Sequence, residues 1–249
     1  MSTVSDIRGY HRIGGAIKLT LIEQKVQQTI RKNMATSYGL TLVIGLPFPP
    51  EISTRIQSLQ QQLEALAPGR FIWYGLDHLH ATLVAPLRGR YRDFPPLQRE
   101  ELPADLQSFT QDLTAFFTQR QPFILELAGV HIADSGFVLV GENTFEQHLT
   151  STLRGYPELD KPKHLKGLHV AIGFCHAHHA FGTEEEAVSF ETALPQLVDV
   201  SIGSMTVQQV WLVHYANRTL NRIVGKVPFA LGQANALSVE RLLRELGIS

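Results

Sequence analysis

Two short segments far apart in the chain, DHLHATLVAP (77–86) and KGLHVAIGFC (166–175), each carry a histidine into an apolar run that reads as a buried strand. Strand side chains alternate between faces. In the first segment His78, His80 and Thr82 therefore share one face, and Leu79, Ala81 and Leu83 share the other. In the second, Leu168, Val170, Ile172 and Phe174 turn toward a core and leave His169, Ala171 and Gly173 on the open face. An imidazole titrates near neutrality, so of two rings facing one cleft, one accepts a proton while the other donates. Displacement at phosphorus needs both services, plus a donor such as the Thr82 hydroxyl to hold a non-bridging oxygen. The small residues Ala171 and Gly173 would let a phosphate approach the backbone. The motifs assign the roles of base and acid to neither ring in particular.

These rings have to be positioned by a mixed set of elements. Residues 19–34 place Ile22, Val26 and Ile30 on one helical face, ahead of a body that begins with the strand-like YGLTLVIGLP (38–47). The spacing of Ile52, Ile56, Leu59, Leu63 and Leu66, opened by Pro49 and Pro50 and followed by Gly69, predicts a helix over 49–69. After the first histidine strand, RGRYRDFPPLQREELP reads as an exposed connection. Leu106, Phe109, Leu113 and Phe116 predict a helix, 123–142 reads as two strands around ADSG, and Phe145, Leu149 and Leu153 predict another helix. TEEEAVSFETALPQL reads as a further helix, MTVQQVWLVHYAN and RIVGKVPFALG as a closing strand pair, and Val239, Leu242, Leu243 and Leu246 as a last helix. The expectation is an N-terminal helical extension (1–37) before one α+β domain (38–249), with a histidine strand in each half.

The segments HAT (80–82) and HVA (169–171), each followed by an apolar residue, resemble the signature of the two-histidine phosphoesterase superfamily, His-x-Thr/Ser-hydrophobic, found twice. Its members include phosphodiesterases acting on cyclic nucleotide phosphates and the 2′–5′ RNA ligase-like proteins. PPEISTRIQSLQQQL resembles the family's first helix, and the resemblance spans residues 38–232. It implies a bilobal α+β fold in which two mainly antiparallel sheets with outer helices are related by pseudo-twofold symmetry around a central cleft. It also implies catalysis by His80 and His169 without a metal or other cofactor, with Thr82 and Ala171 at the substrate phosphate. The chain departs from the pattern at Ala171, where the family carries Ser or Thr. One missing hydrogen bond to a charged group costs about 1.5–3 kcal/mol, so a weakened enzyme, another substrate and a non-catalytic module binding a phosphorylated nucleotide or RNA in the same cleft all stay open.

Other residues offer further readings. Tyr74 and Tyr215 are candidate substrate contacts, since a tyrosine facing the cleft can stack on a base; Trp73 and Trp211 share this reading, and all four serve equally well as core anchors. The cluster CHAHHAFG, with His176, His178 and His179, holds a common type of zinc ligand, but no Asp or Glu lies within it, and it reads as a surface loop. Arg88, Arg90 and Arg92 read as a solvated turn, with steering of a phosphate as the alternative.

Composition narrows the partners. A formal charge of −1 on 249 residues offers no footprint for long duplex nucleic acid but allows a local anion site, and the resemblance implies a small nucleotide or an RNA-end phosphate as its occupant. Cys175 is the single cysteine, so no disulfide forms within the chain. No signal-peptide core or membrane span is readable, and a cytoplasmic location is expected.

Overall fold

The stripe of Ile52, Ile56, Leu59 and Leu63 forms helix α1 (Pro50–Leu66) of the computed structural model, and all four side chains are buried. Pro50 opens the helix where an N–H would have no intrahelical partner. After its end Gly69, at φ +69, adopts the left-handed region, and its N–H donates to Glu64 Oε1 at 2.7 Å. Leu66, expected on the same stripe, is 38% exposed at the last helical position. The structure describes residues 35–91, 96–133, 136–141, 145–160, 168–175, 183–193, 195–198 and 200–249. The helix read over 19–34 lies outside them.

The strands are β1 (Ser37–Gly45), β2 (Phe71–Trp73), β3 (His80–Tyr91), β4 (Phe123–Ala133), β5 (Gly136–Gly141), β6 (Leu168–Cys175), β7 (Ser201–Val207), β8 (Gln209–Tyr215) and β9 (Ile223–Ala230). The remaining helices are α2 (Leu106–Thr118), α3 (Phe145–Leu153), α4 (Glu184–Ala193), α5 (Pro195–Val198) and α6 (Val239–Leu246). The strands pair in the order β7-β4-β5-β6-β3-β1-β8-β9, with β2 added to β6. Every pairing is antiparallel. The first half is thus β3-β1-β8-β9 and the second β6-β5-β4-β7. They meet at β3 and β6, where the single registered pair is Ala81 with Val170.

A twofold axis normal to the sheet through that pair carries Ala81 onto Val170, and therefore His80 onto His169 and Thr82 onto Ala171. The bilobal α+β fold class expected from the motifs is the fold observed, with one addition: the two sheets are hydrogen-bonded to each other along the seam. The helices cross between the halves. α1 leaves β1 of the first half but packs on β6 and β7 of the second, where Arg55 donates to the Ile202 carbonyl at 3.0 Å. α3 follows β5 of the second half and packs on β3 of the first.

Three sequence expectations are corrected here. Leu76–His78 form a single 3-10 turn, so the first histidine strand begins at His80 and not at Asp77. RGRY belongs to β3 and not to a loop, since the antiparallel partner β1 reaches back to pair Ser37 with Tyr91. MTVQQVWLVHYAN is two strands in different halves: β7 pairs with β4, β8 pairs with β1, and the chain crosses at Gln208. No glycine or proline marks that crossing.

Apolar side chains form one continuous core on the helix-covered face, including Leu40, Leu42, Ile44, Leu79, Leu83, Val170 and Leu212. A second, smaller cluster joins the alternate residues Val43 of β1 and Val213 and Tyr215 of β8 to Leu46 and Leu220 beyond the strands, and so lies on the opposite face, the one that carries His80 and Thr82.

Candidate active site

The site is a square of four residues on two adjoining strands. Ala81 and Val170 are fully buried on the helix side, which turns their neighbours to the other face. Continuing the antiparallel register by one residue each way puts His80 opposite Ala171, and Thr82 opposite His169. The two imidazoles stand on a diagonal, a spacing of about 7–8 Å between Cα atoms, which leaves room for a tetrahedral group between the ring tips. On their outer sides, Gly45 pairs with His80 and Val140 with His169. His80 is thus flanked by the two smallest available residues, Ala171 and Gly45. His169 is flanked by two branched ones, Thr82 and Val140.

The 3-10 turn before β3 sets the state of His80. Its Nδ1 lies 2.8 Å from the His78 carbonyl oxygen. A carbonyl only accepts, so the proton sits on Nδ1 and the Nε2 lone pair is left for the cleft. Burial pushes the pKa of His80 down to about 4, against a smaller upward pull from that hydrogen bond, and the charge of the nearby His169 lowers it further. His169 is also held below the ordinary imidazole range by burial. Without a bound anion both rings are therefore neutral at neutral pH. His78, on the turn, gives its backbone to the site.

Tyr74 stands beside His80, with ring centroids 6.5 Å apart, and meets Phe174 edge-on at 5.9 Å. Burial raises its phenol to about 12, so it stays a neutral donor. The Gln60 amide fixes this corner: it donates to the Tyr74 carbonyl at 3.0 Å and to the Ile172 carbonyl at 2.9 Å, tying α1 to both the turn and the second histidine strand. Sequence reasoning missed Gln60. The available signal was a polar residue four positions after Ile56, on the buried stripe of α1.

Gly173 does not line the open face as expected. The β5–β6 register slips by one residue at Ile172, which interrupts the alternation, and Gly173 lies buried under the Trp73 indole. A Cβ at Gly173 would come within 2.5 Å of that ring. The indole N–H donates to Glu64 Oε2 at 2.8 Å, so Trp73 is a packing residue clamped by α1. Tyr215 is 5% exposed and lies in the cleft-face cluster, its ring across Gly39. Trp211 packs against the same cluster but is half-buried, and the Lys226 ammonium lies over its ring, 4.3 Å from the centroid. His176, His178, His179 and Arg92 lie outside the described residues. Among the described residues no three His, Cys, Asp or Glu side chains gather as a metal site, and no helix is long and apolar enough to cross a membrane.

No family model matches the sequence, and no curated protein matches it. Solved structures do. The protein TT0787 of Thermus thermophilus superposes with a TM-score of 0.51 at 15% identity, covering 79% of this chain and 100% of that one. E. coli LigT complexed with ATP gives 0.48 at 17% identity, over 80% and 99% of the two chains. Kluyveromyces marxianus Usb1 gives 0.43 at 12% identity, over 79% and 99%. At these identities the likeness is one of fold. The chain shares the fold of TT0787, and its arrangement is the bilobal α+β one that the resemblance of its two motifs implied.

Proposed function

We propose that the protein is a phosphoesterase that opens a cyclic phosphate or cleaves a phosphodiester on a nucleotide or RNA end, using His80 and His169 as its acid–base pair and no metal. The observation that carries this reading is the diagonal of two half-buried imidazoles across the seam, with the Thr82 hydroxyl beside one of them. The Nδ1–H bond to the His78 carbonyl makes His80 the base: its Nε2 takes the proton from the attacking water as the new P–O bond forms. His169 protonates the oxygen that leaves phosphorus. An anionic phosphate bound next to His169 raises its pKa and so supplies the proton that burial alone would have removed. Thr82 donates to a non-bridging oxygen, and Tyr74 borders the substrate on the His80 side. Tyr215 supports the cleft floor from within its apolar cluster.

In the free protein the two rings titrate below about 6.5, so kcat/KM falls as His169 deprotonates and its optimum lies on the acid side of that value. Bound phosphate moves the kcat profile to higher pH. Ala171, which offers no hydroxyl opposite His80, favours a second reading: a module that binds the phosphorylated ligand without turning it over. Purified protein assayed against 2′,3′-cyclic nucleotides in EDTA separates the two. Turnover that both His80→Ala and His169→Ala abolish establishes the enzyme. Histidine-dependent binding without turnover establishes the module, and turnover that EDTA removes refutes the metal-free mechanism.

A further inference from the structure

Behind the two histidine strands, one buried side chain touches the supports of both. Gln60 sits among Ile56, Leu59 and Leu63 on the covered stripe of α1 and is itself only 7% exposed. Burying an amide is costly unless its hydrogen bonds are made, so its partners show what it holds. Both are carbonyl oxygens, of Tyr74 at 3.0 Å and of Ile172 at 2.9 Å. A carbonyl only accepts, so the NH2 end of the amide faces them.

The two carbonyls mark two irregularities of the sheet. Ile172 is the extra residue of the β6 bulge: β5 pairs Phe137 with Gly173 and Val138 with Ala171, which leaves Ile172 without a registered partner there. Tyr74 is where the chain leaves the sheet. β2 pairs Trp73 with Gly173, and the Tyr74 N–H donates to the Ile172 carbonyl at 3.1 Å. Residues 75–79 then loop out before β3 returns with His80 opposite Ala171. That loop contains the 3-10 turn, and its His78 carbonyl is the group that fixes the His80 Nδ1 proton. The Gln60 amide therefore stands at the mouth of the loop that orients one ring and on the strand that carries the other. One helical turn further on, Glu64 accepts the Trp73 indole N–H at 2.8 Å and so holds only the packed indole.

We infer that Gln60 is a positioning residue for the ring pair: by joining the mouth of the 75–79 loop to the β6 bulge, it keeps His80 in its Nδ1–H tautomer and at a fixed distance from His169. The inference rests on the acid–base reading proposed above, and it is tested on the free protein as well as on the reaction. Nitrogen-15 NMR of the imidazoles at about pH 8, where both rings are neutral, reads the His80 tautomer without any substrate. Wild type is expected in the Nδ1–H form. Gln60→Met keeps the length of the side chain and removes its donors, so the Nε2–H form should become populated. The same variant should lower kcat on a 2′,3′-cyclic nucleotide about ten-fold with KM little changed, since a displacement of about 1 Å in a reacting group suffices for such a loss. Gln60→Asn, which keeps an amide without its reach, should behave likewise and guards against a folding defect in the methionine variant. Glu64→Ala is the packing control: it should lower Tm while the tautomer is unchanged and kcat stays within about two-fold of wild type. A tautomer and kcat that survive both Gln60 variants, or that change as much in Glu64→Ala, would overturn the positioning role and leave the acid–base reading standing. A tautomer shift in Gln60→Met, in a protein that turns over no cyclic nucleotide, would overturn the reaction and uphold the grip on His80.

Discussion

The two halves of the sheet share a backbone plan but place different side chains at equivalent positions. The axis through Ala81 and Val170 relates His80 to His169, yet only His80 has its Nδ1 proton fixed by a carbonyl of the preceding turn. It relates Thr82 to Ala171, so only one of two equivalent positions carries a hydroxyl. The same rotation relates Gly45 to Val140. In the first half an apolar cluster containing Leu46 and Leu220, both with positive φ, covers the face that carries the histidines. A left-handed non-glycine residue costs roughly 1–3 kcal/mol, and two of them in one cluster indicate that the packing on this side outweighs the strain. On the proposed reading the duplicated scaffold supplies the acid–base pair, and the breaks in its symmetry divide the two roles.

The comparison breaks most sharply at the rings themselves. His80→Ala and His169→Ala are each expected to lower kcat by about 10²–10⁴, and the double variant by little more than either, because acid and base act in one step. Steady-state rates on one cyclic nucleotide measure this; fully multiplicative losses would mean the rings work separately. Restoring the symmetry is the next largest effect. Ala171→Ser puts a hydroxyl beside His80 and is expected to raise kcat/KM roughly ten-fold or more, the value of one hydrogen bond to a charged oxygen. Thr82→Ala should lose a similar factor.

Packing separates the halves by less. Gly173→Ala drives a methyl into the Trp73 ring, and overpacking of this kind costs about 1–3 kcal/mol. For a chain of this size that lowers Tm by about 2–4 °C per kcal/mol, readable by thermal melting. The last contrast is in stability against pH. His80, His169 and His214 all have folded pKa values held below the unfolded value of about 6.5. Between those values the unfolded chain binds more protons, so stability falls as pH drops from about 6.5, and for His80 this continues to about 4. Melting curves should show a shallower acid slope in His80→Asn than in wild type; an equal slope would mean the ring is not buried neutral.

Much of this was readable from residue order. The stripe of α1, the apolar phase of both motif strands and the α+β alternation follow from periodicity, because burial of one face imposes it. The expectation for His80, Thr82, His169 and Ala171 on one face rested on alternation alone, and the structure keeps that alternation regular from 80 to 82 and from 169 to 171. It failed at Gly173 because a bulge adds one residue without any composition signal. It failed at Gln208 because a strand can change sheets between two residues that both favour extended backbone. Nothing in the spacing identified His214, fully buried, as the structural histidine. Its Nδ1–H donates to the Leu246 carbonyl at 2.8 Å and its Nε2 accepts the Leu97 N–H at 3.3 Å, joining β8 to the end of α6.

The exchange of helices between halves has a bearing on how the protein can be taken apart. Because α1 covers strands made more than a hundred residues later and α3 covers a strand made before it, a fragment ending after β3 would expose the apolar underside of its own strands while carrying a cover that fits only the missing half. The halves should therefore unfold as one cooperative unit under denaturant, and the gap between the two imidazoles is braced from behind by both crossing helices rather than hinged at the single seam pair.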